Sequence, residues 1–384
     1  MATHAIRFGI IGCGLMGREL ASAAARWCHL LDKVARPEIV AVCDTNPDAS
    51  AWFTTNFDSI RLSTADYREL LGNPDVDAVY CAVPHNLHER LYVDILEAGK
   101  HLLAEKPFGI DRAANAAILK AAGAHPELVV RCSSEFPFFP AVQRIAALAR
   151  EGRFGTILEV ECGFLHSSDM DTDKCINWKR RAGTNGAYGC MGDLGLHVFH
   201  VPLRLGWKPL NVRAILSNVV PERPDASGKR VPCDTWDNAT LLCECTDGES
   251  LFPLTAKMQR LAPGEIDTWY LTVKGTRTSA RFTTKRPRTL ELMEYEPGGR
   301  QAWASEDLGY TPAYKAITGG IFEFGFPDAI QQMLAAFCDE VAQGADAEVP
   351  FGCATPRETR WTHEIFTAAL ESQRDRCTVE IPQE

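Results

Sequence analysis

Three groups of residues in this 384-residue chain have types and spacings suited to chemistry. The first is Gly12, Gly14 and Gly17, spaced G-x-G-x-x-G, directly after the apolar run Phe8–Ile11 and directly before Arg18-Glu-Leu-Ala-Ser-Ala-Ala-Ala-Arg26. Gly12 permits a tight turn, Gly14 lets a pyrophosphate approach the backbone, and Gly17 lets helix and strand pack closely. Phosphates there would meet free helix N–H groups and the positive end of the helix dipole. Cys13, Leu15 and Met16 of the same loop are candidate dinucleotide contacts. The second group is Glu105-Lys106-Pro107, where the proline biases Lys106 away from helix and presents its ammonium reproducibly. The third is Gly186-Ala-Tyr-Gly-Cys-Met-Gly-Asp-Leu-Gly-Leu-His197. With a helix from Asp193, Asp193 and His197 stand at i and i+4 on one face. A carboxylate beside an imidazole favours the imidazolium and orients the ring, which suits a general acid/base handling a hydroxyl proton. The same spacing also fits a pair that caps and packs a helix start.

The elements that must position these groups alternate through the first third of the chain. Phe8–Ile11 reads as a buried strand because it is continuously apolar. Glu38–Cys43 is a second strand ending at Asp44, an acid placed for the adenosine ribose hydroxyls; capping of the next helix is its alternative role. Thr45-Asn-Pro47 offers no Arg or Lys for a 2′-phosphate, which favours NAD over NADP. Val76–Pro84 holds a third strand and leads through His85 and His88 into a helix, Glu89–Ala98. His101–Ala104 ends at Glu105, Asp111–Ala124 reads as helix, and Leu128–Cys132 closes the series. Strands alternating with helices give a parallel, doubly wound sheet of Rossmann type over residues 1–132, with ligands at the C-terminal strand ends. Asp44, Pro84, His85, His88, Glu105 and Lys106 all fall on that edge.

From Ser133 the pattern changes. A helix is expected over Phe138–Glu151, then an alternating strand Thr156–Leu165, a polar loop His166–Arg181 and the helix Asp193–Leu205. Alternating stretches at Val212–Val219, Ala239–Cys245, Ser250–Met258, Trp269–Lys274 and Leu290–Tyr295 predict a large, mainly antiparallel, open sheet with one wet face. Helices near Asp328–Gln343 and Pro356–Ser372 finish the chain. Residues 133–384 thus read as an α+β domain for substrate and oligomerisation, and the whole as an α/β protein. An open sheet of this kind needs covering, so a homodimer or homotetramer packed through it is expected.

Composition narrows the function classes. A formal charge of −10 argues against a nucleic-acid partner, which calls for a basic face. The 14 cysteines include no C-x-x-C pair, and Cys43, Cys81 and Cys132 lie in apolar runs; this fits a reducing cytoplasm better than disulfides or a metal site. No stretch reaches membrane-spanning length and the first residues have no signal-peptide pattern.

Together, Gly12-x-Gly14-x-x-Gly17, Pro84-His-Asn-Leu-His88, Glu105-Lys-Pro107 and Asp193-x-Gly-x-His197 resemble the glucose–fructose oxidoreductase / inositol dehydrogenase / MocA family, and the order of elements matches nearly end to end. The resemblance implies an NAD(P)-dependent oxidoreductase acting on a sugar or cyclic polyol. It implies that Lys106 contacts the nicotinamide ribose and the reacting hydroxyl, that His197 is the general base, and that Asp193 binds a substrate hydroxyl and holds His197. Sugar-binding relatives also point to Trp178 and Lys179 as pocket residues, with His166 and Asp169 weaker candidates and Arg180 and Arg181 solvated charges. Two departures stand out. His200 replaces a common Asp and is expected in the core, and Glu135-Phe-Pro-Phe-Phe-Pro140 replaces an Arg-Phe pair. An NAD-dependent glycosidase with transient sugar oxidation and a non-catalytic ligand sensor are the alternative readings; an intact Lys106, Asp193 and His197 argues against the sensor.

Overall fold

The computed structural model describes residues 4–32, 35–344 and 352–383, and the chain divides into two compact units. The first gathers Met1–Gly109, Ala113–Phe138 and Tyr310–Pro356. Its sheet is built from β1 (His4–Ile11), β2 (Ala35–Cys43), β3 (Leu62–Thr64), β4 (Ala78–Cys81), β5 (His101–Ala104) and β6 (Val130–Cys132). Between them run α1 (Leu15–Ala25), α2 (Pro47–Asn56), α3 (Tyr67–Leu71), α4 (His88–Glu97) and α5 (Arg112–Ala124). All strand pairs are parallel, in the order β3-β2-β1-β4-β5-β6. Chain direction across the sheet reverses between β1 and β4, the switch point where doubly wound folds bind nucleotides. The strands are continuously apolar because helices cover both faces: Ile10, Val42, Val79 and Leu103 are fully buried. The short polar edge strand β3 has no counterpart in the sequence reading, since three residues carry no readable period.

The second unit comprises Ile110–Arg112, Phe139–Gly309 and Arg357–Glu384. It opens with α6 (Pro140–Arg150), which starts two residues later than expected because Phe136–Phe138 form a tighter 3₁₀ turn and Pro140 takes a helix-start position. There follow β7 (Ile157–His166), α7 (Ala182–Asn185), α8 (Cys190–Arg204), β8 (Lys208–Pro209) and β9 (Asn211–Ser217). A separate hairpin joins β10 (Glu222–Pro224) to β11 (Arg230–Pro232). Then come β12 (Asn238–Thr246), β13 (Leu251–Gln259), β14 (Asp267–Gly275), β15 (Thr278–Thr283), β16 (Thr289–Glu294) and β17 (Ala304–Asp307). One face of the large sheet is apolar and packs on α8: Cys162, Leu241, Leu254, Ala256, Leu271 and Val273 are fully buried. On the strands' other face lie Lys274 with its partners Glu159 and Glu161, and the exposed Leu242 and Ile215.

Between Tyr310 and Pro356 the chain returns to the first unit, contrary to a boundary that places everything after 132 in the second. The reason lies in α9 (Phe326–Gln343), whose residues Ala329–Glu340 are all buried and which packs on α1, β1 and β2. Phe337 lies 6.0 Å from the Phe8 ring, Gln331 Nε2 donates to the Arg26 carbonyl at 2.7 Å, and Arg26 pairs with Asp328 at 2.6 Å. Ala354 then exchanges two backbone hydrogen bonds with Cys132 beside β6. The chain re-enters the second unit as α10 (Pro356–Asp375) and β18 (Val379–Glu380), completing the sheet order β17-β16-β15-β14-β7-β13-β12-β9-β18. The β13–β7 pair alone in that order is parallel; the other pairs run antiparallel.

Candidate functional site

In the first unit the C-terminal strand ends gather the expected cofactor residues. The glycine loop leaves β1 at Gly12, and α1 starts with Gly14 as its N-cap and no capping side chain. A Cβ on Gly17 would stand 2.3 Å from the Gly12 carbonyl oxygen, which shows the close approach inferred for it. A Cβ on Gly14 would meet nothing within 4 Å. That bare backbone at an uncapped helix start fits a diphosphate. Leu15 beside it is 74% exposed, whereas Cys13 is fully buried. Burial pushes the Cys13 thiol up to about 11, so it stays protonated and packs as a small apolar group.

Asp44 ties this loop down. Its two carboxylate oxygens accept the Cys13 and Asn46 backbone N–H groups, each at 2.8 Å. The N-cap of α2 is Asn46, whose side chain accepts from Asp48 N, so capping is not the role of Asp44.

Beyond β4 and β5 the residues divide by exposure. His88 is fully buried, with Nδ1 2.7 Å from the Pro107 carbonyl and Nε2 2.9 Å from the Val83 carbonyl, and it stacks on Tyr92. It braces the two strand-end loops. His85, after Pro84, is 3% exposed and its ring lies 5.4 Å from that of His88. Glu105 is buried too: its carboxylate accepts Tyr80 OH and Ser133 Oγ, each at 2.6 Å, and its carbonyl accepts Tyr92 OH. These bonds fix the backbone from which the half-buried Lys106 projects, across a cis bond to Pro107. Tyr80 and Ser133 were not legible as partners because 25 and 28 residues separate them from Glu105.

The second unit supplies Asp193 and His197. Helix α8 begins at Cys190, one turn earlier than expected, and buries every residue from Cys190 to Leu203. The i, i+4 placement holds within it. His197 is 3% exposed, its carbonyl accepts Trp269 Nε1 at 2.9 Å, and its ring meets Phe164 edge-on at 5.5 Å. The Asp193 carboxylate is turned to two cations: Lys179 Nζ at 3.0 and 3.2 Å, and the Arg260 guanidinium. Lys179 lies on the 3₁₀ turn Trp178–Arg180, which Asn177 caps and Thr235 and Thr184 tie down. Its ammonium also sits 5.6 Å from the Trp178 ring centroid.

Behind this pair runs a buried ion chain. Arg260 lies 3.7 Å from Asp169, Asp169 pairs with Arg180, and Arg180 donates to Asp237 at 2.5 Å. Arg180 is therefore no solvated charge but 1% exposed, and Asp169 is a member of the interior network. Desolvation, and then the neighbouring Arg260 charge, lower the Arg180 pKa to about 10. Arg181 is exposed as expected. His166 lies 3.5 Å from Asp267 and against Phe164. Arg260 is the residue that sequence reading missed, because nothing around it in Met258-Gln-Arg-Leu261 marks it as different from any arginine at a strand end.

His200 lies in the core, as its apolar neighbours predict. Burial, assisted by Arg204 and opposed by Glu358, lowers it from 6.5 to about 3. The neutral ring nitrogen stands 3.1 Å from Arg204 Nη2. Between pH 6.5 and 3 the unfolded chain therefore binds a proton here that the folded chain does not, and stability falls as pH falls. A His200→Gln variant is expected to lose stability less steeply over that window, by urea unfolding at stepped pH; parallel slopes would contradict it.

Among the described residues no group of three or more His, Cys, Asp or Glu is arranged to hold a metal, and no helix is long and apolar enough to cross a membrane.

Residues 6–131 match the profile of an oxidoreductase family with an NAD-binding Rossmann fold, and residues 142–281 match the GFO/IDH/MocA C-terminal domain. Levoglucosan dehydrogenase of Pseudarthrobacter phenanthrenivorans is 29% identical over 224 residues, 58% of this chain and 57% of that protein. Inositol 2-dehydrogenase of Acidothermus cellulolyticus is 32% identical over 156 residues, 40% of this chain and 44% of that protein. The matches thus span about half the length of these curated relatives. A solved levoglucosan dehydrogenase in complex with NADH and L-sorbose superposes with a TM-score of 0.87 at 23% identity, covering 99% of this chain and 100% of that one. At that identity the likeness is one of fold.

Proposed function

The chain belongs to the GFO/IDH/MocA oxidoreductase family, with its NAD-binding Rossmann fold, and on that premise we propose an NAD-dependent dehydrogenase of a neutral sugar or cyclic polyol. The observation that carries the substrate class is the pairing around Asp193. Leaving aside the exposed Lys174 at its rim, Asp169, Asp193 and Asp237 are directly paired with Lys179, Arg180 and Arg260, three charges of each sign. Within this set the charges cancel, so it does not by itself favour a carboxylate or phosphate over a neutral hydroxyl. Its half-exposed Lys179 and the Asp193 it holds present a donor and an acceptor side by side, which suits vicinal hydroxyls.

When bound, NAD supplies the hydride acceptor. The chain's own residues do the rest. Gly12, Gly14 and Gly17, with the backbone of Cys13 and of the helix start at Leu15 and Met16, would receive the diphosphate, and Asp44 the adenosine ribose. Pro84, His85, His88 and Glu105 shape the strand ends around them. The Lys106 ammonium donates to the reacting oxygen and stabilises negative charge as it develops. His197 takes the hydroxyl proton as the carbon loses its hydride, so one proton and one hydride leave the substrate together. Asp193 and Lys179 orient neighbouring hydroxyls beside Trp178. In the reductive direction the same groups return the proton.

Incubating the protein with NAD and separate pools of neutral sugars, polyols and sugar acids tests this. NADH formation with a neutral pool is expected. Turnover of acids alone would overturn the substrate class, and glycoside cleavage without NADH release would support the glycosidase. Initial rates should favour NAD over NADP because Asp44 repels a 2′-phosphate; the reverse order would refute that preference. The exposed Ile215, Leu242, Leu158 and Leu251 on the large sheet's strands support a homodimer or homotetramer built through it; a monomer by light scattering would refute it. Fourteen free thiols fit a cytoplasmic setting.

A further inference from the structure

We propose that Arg260 is a positioning residue of the reaction, acting through Asp193, and that Lys179 is the exchangeable partner of the same carboxylate. The proposal rests on the dehydrogenase reading. Asp193 is 4% exposed, and a carboxylate so far from water must keep a compensating partner at every step. Two of its partners are the cations Lys179 and Arg260, and they differ in kind.

Arg260 is held at its backbone and at both terminal guanidinium nitrogens. It directly follows β13, its backbone N–H donates to Asn238 Oδ1 and to the Asp237 carbonyl, each at 3.1 Å, and its side chain is 5% exposed. One arm of the guanidinium is on Asp193 Oδ2 and the other is 3.7 Å from Asp169. Asp169 is clamped by Arg180, Arg180 by Asp237, and Asp237 by the Val219 and Val220 N–H groups at 2.7 and 2.9 Å. The planar fork can satisfy both acids in one orientation only, so Asp193 inherits a fixed direction.

Lys179 is different. Its side chain is 35% exposed, and its ammonium is a point charge on a flexible stem. It contacts both carboxylate oxygens without a fork to hold it. Lys179 can therefore give up a contact to a substrate hydroxyl while Arg260 keeps Asp193 compensated and in place. Without Arg260, the carboxylate would follow the lysine and lose its aim.

A double-substitution cycle separates this from general support of the fold. Arg260→Gln is expected to lower kcat/KM by about 100-fold, the scale of a misplaced reacting group, with NADH affinity unchanged. In an Asp193→Asn background the same substitution should cost less than about threefold, because the group it positions has lost its charge. Arg260→Lys, which keeps the charge without the fork, should fall between. Equal losses in both backgrounds, or no loss in the first, would overturn the proposal. If Arg260→Gln does not fold, the Asp193→Asn/Arg260→Gln pair, which removes both charges, and Arg260→Lys carry the same comparison. A crystal structure of Arg260→Lys supplies a readout independent of turnover: an Asp193 carboxylate displaced toward Lys179 is expected, and an unmoved one overturns the proposal. Absence of any NAD-linked turnover in the unaltered protein would instead sink the dehydrogenase reading.

Discussion

His197→Ala and Lys106→Ala are each expected to lower kcat by about 10³-fold while leaving NADH binding near that of the unaltered protein. The magnitude is that of losing a positioned general base, about 10²–10⁴-fold, or one preorganised donor to a developing oxyanion, about 10²–10³-fold. Binding should survive for different reasons in the two cases. His197 belongs to the second unit, whereas the glycine loop belongs to the first, and its backbone carbonyl accepts Trp269 Nε1 whatever the side chain. Lys106 stands on a backbone fixed by Glu105, whose carboxylate and carbonyl bonds to Tyr80, Ser133 and Tyr92 do not involve the lysine side chain. Steady-state rates with a substrate found by the pooled screen, alongside fluorescence titration with NADH, check both. Full activity in either variant would sink the mechanism.

The second large effect is in the glycine loop of the first unit. Gly12 has φ +97°, and a Cβ there would stand 2.2 Å from the Ala82 carbonyl oxygen, a backbone atom held in place by the Ala82 N–H bond to Ile11. Gly12→Ala must therefore shift the turn. A side chain at such a φ costs roughly 1–2 kcal/mol, and local backbone strain adds on the order of 1–3 kcal/mol. If the loop relieves some 3 kcal/mol of this by leaving its cofactor-ready shape, NADH affinity falls by about 100-fold. Titration of the variant with NADH reads this directly; an unchanged Kd would show that the loop does not depend on that glycine.

The parallel sheet was legible because its strands are continuously apolar and its helices intervene at regular spacing; β1, β2, β4, β5 and β6 all lie where the pattern puts them. The Asp193–His197 spacing was legible for the same reason, since helical periodicity is a local property. The partners of those residues were not. Arg260 reaches Asp193 across 67 residues and Arg180 reaches Asp237 across 57, and no local pattern encodes such a pairing. Arg180 illustrates the cost: in Trp178-Lys-Arg-Arg181 it looks as solvated as Arg181, yet the fold buries one and exposes the other. The short strands β3, β10, β11 and β17, each of four residues or fewer, gave no period to read. The helix at Phe326–Gln343 was found, but its allegiance was not, because an apolar face does not say which sheet it will cover.

That last helix has a consequence for how the protein is made. The first unit is assembled from three stretches of chain, the last of which is synthesised after almost all of the second unit. As the polypeptide emerges, the apolar surface of α1, β1 and β2 awaiting α9 remains uncovered while Phe139–Gly309 of the second unit is laid down, on the order of ten seconds or more at ordinary elongation rates. A fragment ending after β6 would carry that bare surface permanently. The nucleotide-binding part of this chain is thus not a detachable module: it closes only after Phe139–Gly309 of the second unit has been made.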